Sequence, residues 1–203
     1  MLLQFYEKDK IEIGIDEAGR GSLIGPVCVA GVILGDIIHN PPPYEIKDSK
    51  KCSPKVRRIL RNYIEENAIA FHVQFISEKE IDTINILQAT VKGMTLCVDK
   101  IRKEIDIDRI LVDGNYFPIY LTEDFDHIPH QCIPKGDNKY LNIAAASILA
   151  KEYRDEFMIQ LVNDHNELEN YDIINNKGYG TRNHKLGIQN YGLTQWHRKS
   201  FNI

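Results

Sequence analysis

Ile11-Glu12-Ile13-Gly14-Ile15-Asp16-Glu17-Ala18-Gly19-Arg20-Gly21 runs an alternating apolar strand into two adjacent acids and a glycine-hinged turn. A period of two puts Ile11, Ile13 and Ile15 on one face and Gly14 and Asp16 on the other, so Asp16 emerges opposite the apolar side. Glu17 follows where the strand is expected to bend. Neighbouring carboxylates repel one another unless a proton or a cation lies between them, and the pair therefore reads as half of a divalent-metal site.

The pair has counterparts along the chain. Arg109-Ile110-Leu111-Val112-Asp113-Gly114 is a short apolar strand ending in an acid and a glycine, and Ile133-Pro134-Lys135-Gly136-Asp137 ends in another such turn. Open α/β sheets gather ligand chemistry at strand ends, where loops aim side chains into a crevice that the sheet holds rigid. An all-oxygen set favours Mg²⁺ or Mn²⁺ over zinc. Asp16, Glu17, Asp113 and Asp137 are four acids placed in this way at element ends. Each acid also has a plain structural use. Asp113 before Gly114 is a common turn former, and Asp137 before a helix is a common N-terminal cap.

The rest of the chain reads as one α/β domain over 1–203, with a core to about 168 and a C-terminal helical segment over about 169–203. Residues 24–34 form a second strand, antiparallel to the first. Asn40-Pro41-Pro42-Pro43 forces a loop, and Ser53-Pro54 caps and opens a basic helix that runs to about Asn67. Another strand covers 69–76. Leu87, Val91, Met94, Val98, Ile101 and Ile105 recur at helical spacing, so a long helix lays that stripe on the sheet. A further helix spans roughly 138–162, and its Ala144, Ala145, Ala146 and Ala150 allow close approach to the sheet.

The longest apolar runs, 27–34 and 143–150, fall short of the roughly 18 to 20 residues of a membrane span, and the early charges after Met1 do not suit a signal peptide. A cytoplasmic, monomeric protein is the expectation. Cys28, Cys52, Cys97 and Cys132 lack paired spacing and read as reduced packing residues. His127, His130 and Cys132 lack a convincing set of partner ligands for zinc. The net charge of −4 is unusual for a nucleic-acid enzyme. It is offset locally by Lys47, Lys50, Lys51, Lys55, Arg57, Arg58 and Arg61, and near the end by Lys177, Arg182, Lys185, Arg198 and Lys199, although such runs are commonly solvated faces.

The motif Asp16-Glu17-Ala18-Gly19-Arg20-Gly21 with Gly25-Pro26 resembles the opening of the ribonuclease HII family. The resemblance continues through Asp48-Ser49-Lys50-Lys51, Val112-Asp113-Gly114, Lys135-Gly136-Asp137, the alanine-rich run from Ala144 to Lys151, Arg154-Asp155, Lys177-Gly178-Tyr179-Gly180-Thr181 and His197-Arg198-Lys199-Ser200-Phe201. It implies a ribonuclease H-like fold, a mixed central sheet flanked by helices. It also implies cleavage of the RNA strand of RNA/DNA hybrids, and of DNA duplexes containing ribonucleotides on the 5′ side of the ribonucleotide, with two Mg²⁺ or Mn²⁺ ions. Asp16, Glu17, Asp113 and Asp137 would be the catalytic, metal-holding acids. Backbone groups of Gly19, Arg20 and Gly21 would sense the ribose 2′-OH, Tyr179 would pack on the sugar, and Lys50, Ser147 and Arg20 would meet phosphates. The chain departs from the family pattern at Cys52, at Leu141-Asn142 and at Asn176, none of them an acid, and its tail Ser200-Phe201-Asn202-Ile203 carries no evident sliding-clamp motif. The alternatives are the related ribonuclease HIII, which Arg20 and the short N-terminus disfavour, and a non-catalytic hybrid-binding module, which four intact acids disfavour.

Overall fold

The computed structural model describes residues 2–35, 37 and 39–202, so Met1 and the tail's final Ile203 lie outside the described residues. Strand β1 (Glu12–Ala18) is buried along its length except at half-buried Glu17, which suits a central strand. It pairs antiparallel with β2 (Val27–Leu34), which pairs antiparallel with β3 (Ala68–Ile76). On its other side it runs parallel to β4 (Arg109–Asp113). Strands β5 (Tyr120–Leu121) and β6 (His127–Ile128) make a separate ribbon, and β7 (His130–Ile133) runs parallel to β4. The main sheet is thus mixed, in the order β3-β2-β1-β4-β7.

Helices cover both faces. Ile13 and Ile15 pack with Met94, Cys97, Val98 and Ile101 of α2 (Glu78–Ile101), which follows α1 (Pro54–Asn67) in the chain. Fully burying each such isoleucine is worth about 1.5–3 kcal/mol. The opposite face takes α1 and α3 (Leu141–Asp164), with Ala144, Ala145 and Ala146 wholly buried. Gly14 makes that contact possible, since a Cβ there would lie 2.2 Å from the Asn142 carbonyl carbon. The departure at Asn142 also has a use: its Nδ2 donates to the Glu12 carbonyl at 2.6 Å and its Oδ1 accepts the Leu34 amide at 3.1 Å.

Several boundaries differ from the sequence reading. Ile11 lies outside β1 and is exposed, because its amide donates to the Asp108 carboxylate and its carbonyl accepts from the Asp108 backbone. β1 continues through Glu17 to Ala18, and the bend falls at Gly19, whose φ is +85°. β2 begins at Val27, leaving Ile24 in an isolated bridge to His197. α2 starts nine residues before Leu87 and kinks at Asn85 (φ 68°), whose Oδ1 accepts the Leu87 and Gln88 amides and caps the second half. The buried stripe therefore includes Ala89, Gly93 and Cys97, whereas Leu87 is exposed and Ile105 lies past the helix end. α3 starts at Leu141 because 136–138 form a 3₁₀ turn.

The C-terminal segment holds a 3₁₀ stretch over 166–171, then α4 (Ile173–Asn176) and α5 (Arg182–Tyr191). Ile24, Met158, Leu161, Leu168, Tyr171 and Ile173 join it to the sheet and α3. Two wholly buried arginines reinforce the join. Arg154 donates to the Pro26, Ile24 and Lys177 carbonyls and to the Ser22 hydroxyl, and Arg198 donates to the carbonyls of Gly25 and Arg20. Burial and neighbouring Arg154 push the Arg198 guanidinium down to about 9, which still leaves it charged at neutral pH.

Candidate active site

Register brings the first two acids together. Ile15 pairs with Val112 across the parallel β1 and β4, so Asp16 and Asp113 follow one residue later on adjacent strands, about 4.8 Å apart in backbone spacing. Asp16 shares its face with Ala30, on the α3 side, whereas Glu17 pairs with Val29 and leans toward α2. Asp113 pairs with Ile133 at the end of β7, and the chain then doubles back through Lys135 in a left-handed conformation (φ 57°). The Gly136 amide donates to Asp113 Oδ1 at 2.6 Å. Asp137 sits buried in the 3₁₀ turn, where Asn138 Nδ2 donates to its Oδ1 at 2.8 Å and reaches Asp48 Oδ2 at 3.4 Å. It is not the cap of α3, whose N-terminus has Tyr140 in that position with no side-chain cap bond.

Electrostatics show that these groups share one field. Burial raises the Asp16 carboxyl well above its usual range, and the charges of Glu17 and Asp113 add to that. Burial also raises Glu17, helped by Asp113 and opposed by Arg20, whose Nη1 stands 3.6 Å from Glu17 Oε1. Asp137 is raised by burial, then by Asp113 and Asp48. Asp113 is thus the common neighbour of the other three acids. Lys50 answers them: burial alone would lower its ammonium, but the charges of Asp16, Asp48, Asp137 and Asp113 outweigh burial and hold it above its ordinary value.

Among the described residues, no three His, Cys, Asp or Glu side chains already stand as a closed metal-binding group. The donor set nonetheless fits a hard divalent ion. It consists of carboxylate oxygens that repel one another, and Mg²⁺ or Mn²⁺ commonly keeps several water ligands and needs only one or two carboxylates directly. A cavity of about 750 Å³ between α2 and the β5–β6 ribbon contains none of these acids.

The other residues singled out in the sequence take different positions. Gly19 donates its amide to the Tyr179 hydroxyl at 3.2 Å, which brings the glycine turn and Tyr179 together. A Cβ on Gly19 would fall 1.8 Å from Arg154 Nε, while one on Gly21 would meet nothing within 4 Å. Arg20 is exposed, and its carbonyl is held by Arg198. Ser147 is buried behind Asp16, hydrogen-bonded to that carboxylate and 2.9 Å from the Ser49 hydroxyl. Sequence reasoning gave no role to Asp48, Ser49 or Asn138; the available signal was an acid and a hydroxyl placed inside an otherwise basic run. The basic clusters are partly consumed by packing. Arg57 pairs with Glu152 and Asp155, Arg61 pairs with Glu65 and Glu156, and Arg198 is buried.

Solved structures share this architecture. The ribonuclease HII of Archaeoglobus fulgidus, in a complex with PCNA, superposes with a TM-score of 0.71 at 24% identity, covering 95% of this chain and 96% of that one. The ribonuclease H2 of Pyrococcus horikoshii gives 0.73 at 24% identity over 94% and 93%. A Bst-RNase HIII structure in complex with Mn²⁺ gives 0.67 at 20% identity over 88% and 69%. The shared architecture places the chain in the ribonuclease H-like fold class. A family model for ribonuclease HII matches residues 13–203. The ribonuclease HII of Christiangramia forsetii is 46% identical over 202 residues, spanning 100% of this chain and 96% of the relative, and that of Bacteroides thetaiotaomicron is 45% identical over 203 residues, spanning 100% and 95%. The chain belongs to the ribonuclease HII family, and so is a ribonuclease H of a metal-dependent kind. Among the described residues, no helix is long and apolar enough to cross a membrane.

Proposed function

We propose that this enzyme hydrolyses the RNA strand of RNA/DNA hybrids and also nicks duplex DNA on the 5′ side of an embedded ribonucleotide, leaving a 3′-hydroxyl and a 5′-phosphate. The observation that carries the reading is the position of Asp113, which raises the carboxyls of Asp16, Glu17 and Asp137 and is itself tied to the Asp137 turn.

Asp16, Glu17, Asp113 and Asp137 would hold two Mg²⁺ or Mn²⁺ ions. When bound, such ions supply an activated water and charge neutralisation at the leaving oxygen. The chain's own residues do the rest. Ser147, backed by Ser49, and the Glu17 amide at 2.7 Å fix the Asp16 carboxylate. Lys50 and Arg20 put cations beside the acids, where a phosphate would need them. The open backbone at Gly21 leaves room for a ribose, whose 2′-OH Gly19, Arg20 and Gly21 would sense as the family resemblance implies. Tyr179, half-exposed and adjacent to Gly19, would pack on the sugar. In this reading the chain acts as a monomeric cytoplasmic enzyme whose C-terminal segment unfolds together with the core.

The test is a DNA duplex with one internal ribonucleotide. A nick at its 5′ side that requires Mg²⁺ or Mn²⁺ and disappears in the Asp16→Asn variant is the expected result. Binding of the duplex without any metal-dependent nick would instead favour a non-catalytic hybrid-binding module.

A further inference from the structure

His184 of α5 and His197 of the closing segment are both buried, and their Nε2 atoms face each other at 3.1 Å. The flanking groups leave no choice about where the hydrogens go. His184 Nδ1 lies 3.1 Å from the Tyr179 carbonyl oxygen, which can only accept, so Nδ1 carries a proton. At the far end the Thr194 amide, which can only donate, lies 2.9 Å from His197 Nδ1, so that nitrogen is bare. One hydrogen then fits between the two Nε2 atoms, and it belongs to His197. Both rings are neutral and of opposite tautomer, and an added proton on either would meet another hydrogen.

Neighbouring groups favour that neutral state. Burial and His184 push His197 down to about 4, and burial lowers His184. The ring of Tyr171 packs edge-on against both imidazoles, its hydroxyl being spent on the Gly192 carbonyl at 2.9 Å, and Tyr191 packs behind Tyr171. Of the cationic chain neighbours, Arg198 is turned to the Gly25 and Arg20 carbonyls, and Lys185 lies near Gly180. The turn that carries Tyr179 is fixed from its other side by Asn176, which accepts the Gly178 amide at 2.7 Å and donates to the Tyr171 carbonyl at 2.8 Å.

We propose that His184 and His197 form a positioning pair for Tyr179. Their single arrangement of hydrogens runs from the Thr194 amide to the Tyr179 carbonyl and sets the backbone from which the Tyr179 hydroxyl reaches the Gly19 amide. The proposal rests on the reading that Tyr179 contacts the sugar. It assigns the family member's discrimination between a lone ribonucleotide and a long hybrid to two side chains that never touch substrate.

Cleavage by the full-length chain is measured on a duplex with one ribonucleotide and on a long RNA/DNA hybrid, at a temperature where each variant is folded by circular dichroism. His197→Phe keeps the ring volume and removes both nitrogens. It is expected to lose about 10- to 100-fold on the lone ribonucleotide and less than about 3-fold on the hybrid. His197→Gln, which keeps a donor aimed at His184, recovers most of the loss. Tyr179→Ala combined with His197→Phe is no worse than Tyr179→Ala alone, because the histidine acts through the tyrosine. Additive losses, equal losses on both substrates, or no recovery by glutamine would overturn the proposal. If His197→Phe does not fold, long-range ¹⁵N–¹H spectra of the unmodified protein at neutral pH decide: opposite neutral tautomers support the pair, and any other protonation overturns it. Should Tyr179→Ala itself treat both substrates alike, the sugar-contact reading fails and takes this assignment of the histidine pair with it, while the metal-dependent nick still tests the cleavage reading and the spectra still report separately on the hydrogens.

Discussion

Asp113 and Gly136 are joined by a 2.6 Å hydrogen bond from the glycine amide to the carboxylate, so the end of β4 and the turn carrying Asp137 are held as one piece. Asp113 therefore has a structural bond on one oxygen and the charge of three neighbouring acids around it. Its sequence context suggested two uses, turn former and site acid, and the bond to Gly136 is of the first kind.

Asp113→Asn separates them. The amide oxygen still accepts from Gly136, but the negative charge is gone. We expect turnover to fall at least about 100-fold with little change in melting temperature. Asp113→Ala should lose the same activity and about 1 kcal/mol of stability besides, through the orphaned Gly136 amide. Parallel melting curves and single-turnover assays check the pair. Equal destabilisation by both variants would contradict this division.

Asp16→Asn is expected to stabilise the metal-free protein. Burial and like charges raise the Asp16 carboxyl in the folded state, so its contribution is most favourable at a pH below the unfolded value and is lost as pH rises through the folded one. At neutral pH the charged form is a burden, and the neutral amide removes it. Without divalent ions the variant should melt higher than the parent, by about 2 to 4 °C for each kcal/mol relieved. Adding Mg²⁺ or Mn²⁺ should raise the parent's melting temperature more than the variant's. A variant that melts lower without metal would argue against repulsion at this position.

Much of this site was legible because strand chemistry is local. Alternation around Ile13 and Ile15 fixes which face Asp16 leaves from, and the small side chains of Gly14 and Ala144 to Ala146 announce a close helix. What escaped was non-local. Asn85 turns α2 and shifts its buried stripe, which no spacing of apolar residues encodes. Arg57 and Arg61 belong to a basic run that offsets the net charge in the sequence, but each has a carboxylate partner 95 residues away on α3. Ser49 meets Ser147 across 98 residues, so its role depends on a contact that only the folded chain makes. Arg154 and Arg198 are buried against backbone carbonyls, and a carbonyl leaves no trace in residue identity.

The histidine pair predicts an acid limb of opposite sign to Asp16. His197 falls to about 4 in the folded protein, whereas an unfolded histidine titrates near 6.5. Its stabilising contribution is therefore complete above about 6.5 and is lost as pH drops toward about 4. Melting temperature should decline across that window. In His197→Gln, which has no proton to take up there, the decline should be shallower even if its stability at neutral pH is lower. Identical slopes for parent and variant would show that other groups set the acid limb.

Gly19 and Gly21 stand two residues apart in one turn, and the structure gives them different reasons for being glycine. Gly19 has φ +85°, and an added Cβ would lie 1.8 Å from Arg154 Nε. The methyl of Gly19→Ala must displace a guanidinium whose bonds to Ser22, Ile24, Pro26 and Lys177 hold the loop to α3 and to the Tyr179 turn. That variant is expected to lose more than about 2 kcal/mol of stability, and activity on every substrate along with it. Gly21 has no left-handed angle, and nothing lies within 4 Å of its would-be Cβ. Gly21→Ala should stay within about 0.5 kcal/mol of the parent. If the open space beside Gly21 is where the ribose enters, the same methyl should still cut cleavage at a lone ribonucleotide about 10-fold, through KM more than kcat. Denaturant titration alongside initial rates separates these outcomes. A stable Gly21→Ala enzyme with unchanged KM would move the 2′-OH contact off this part of the loop, whereas a Gly19→Ala enzyme of normal stability would mean that Arg154 has freedom to retreat.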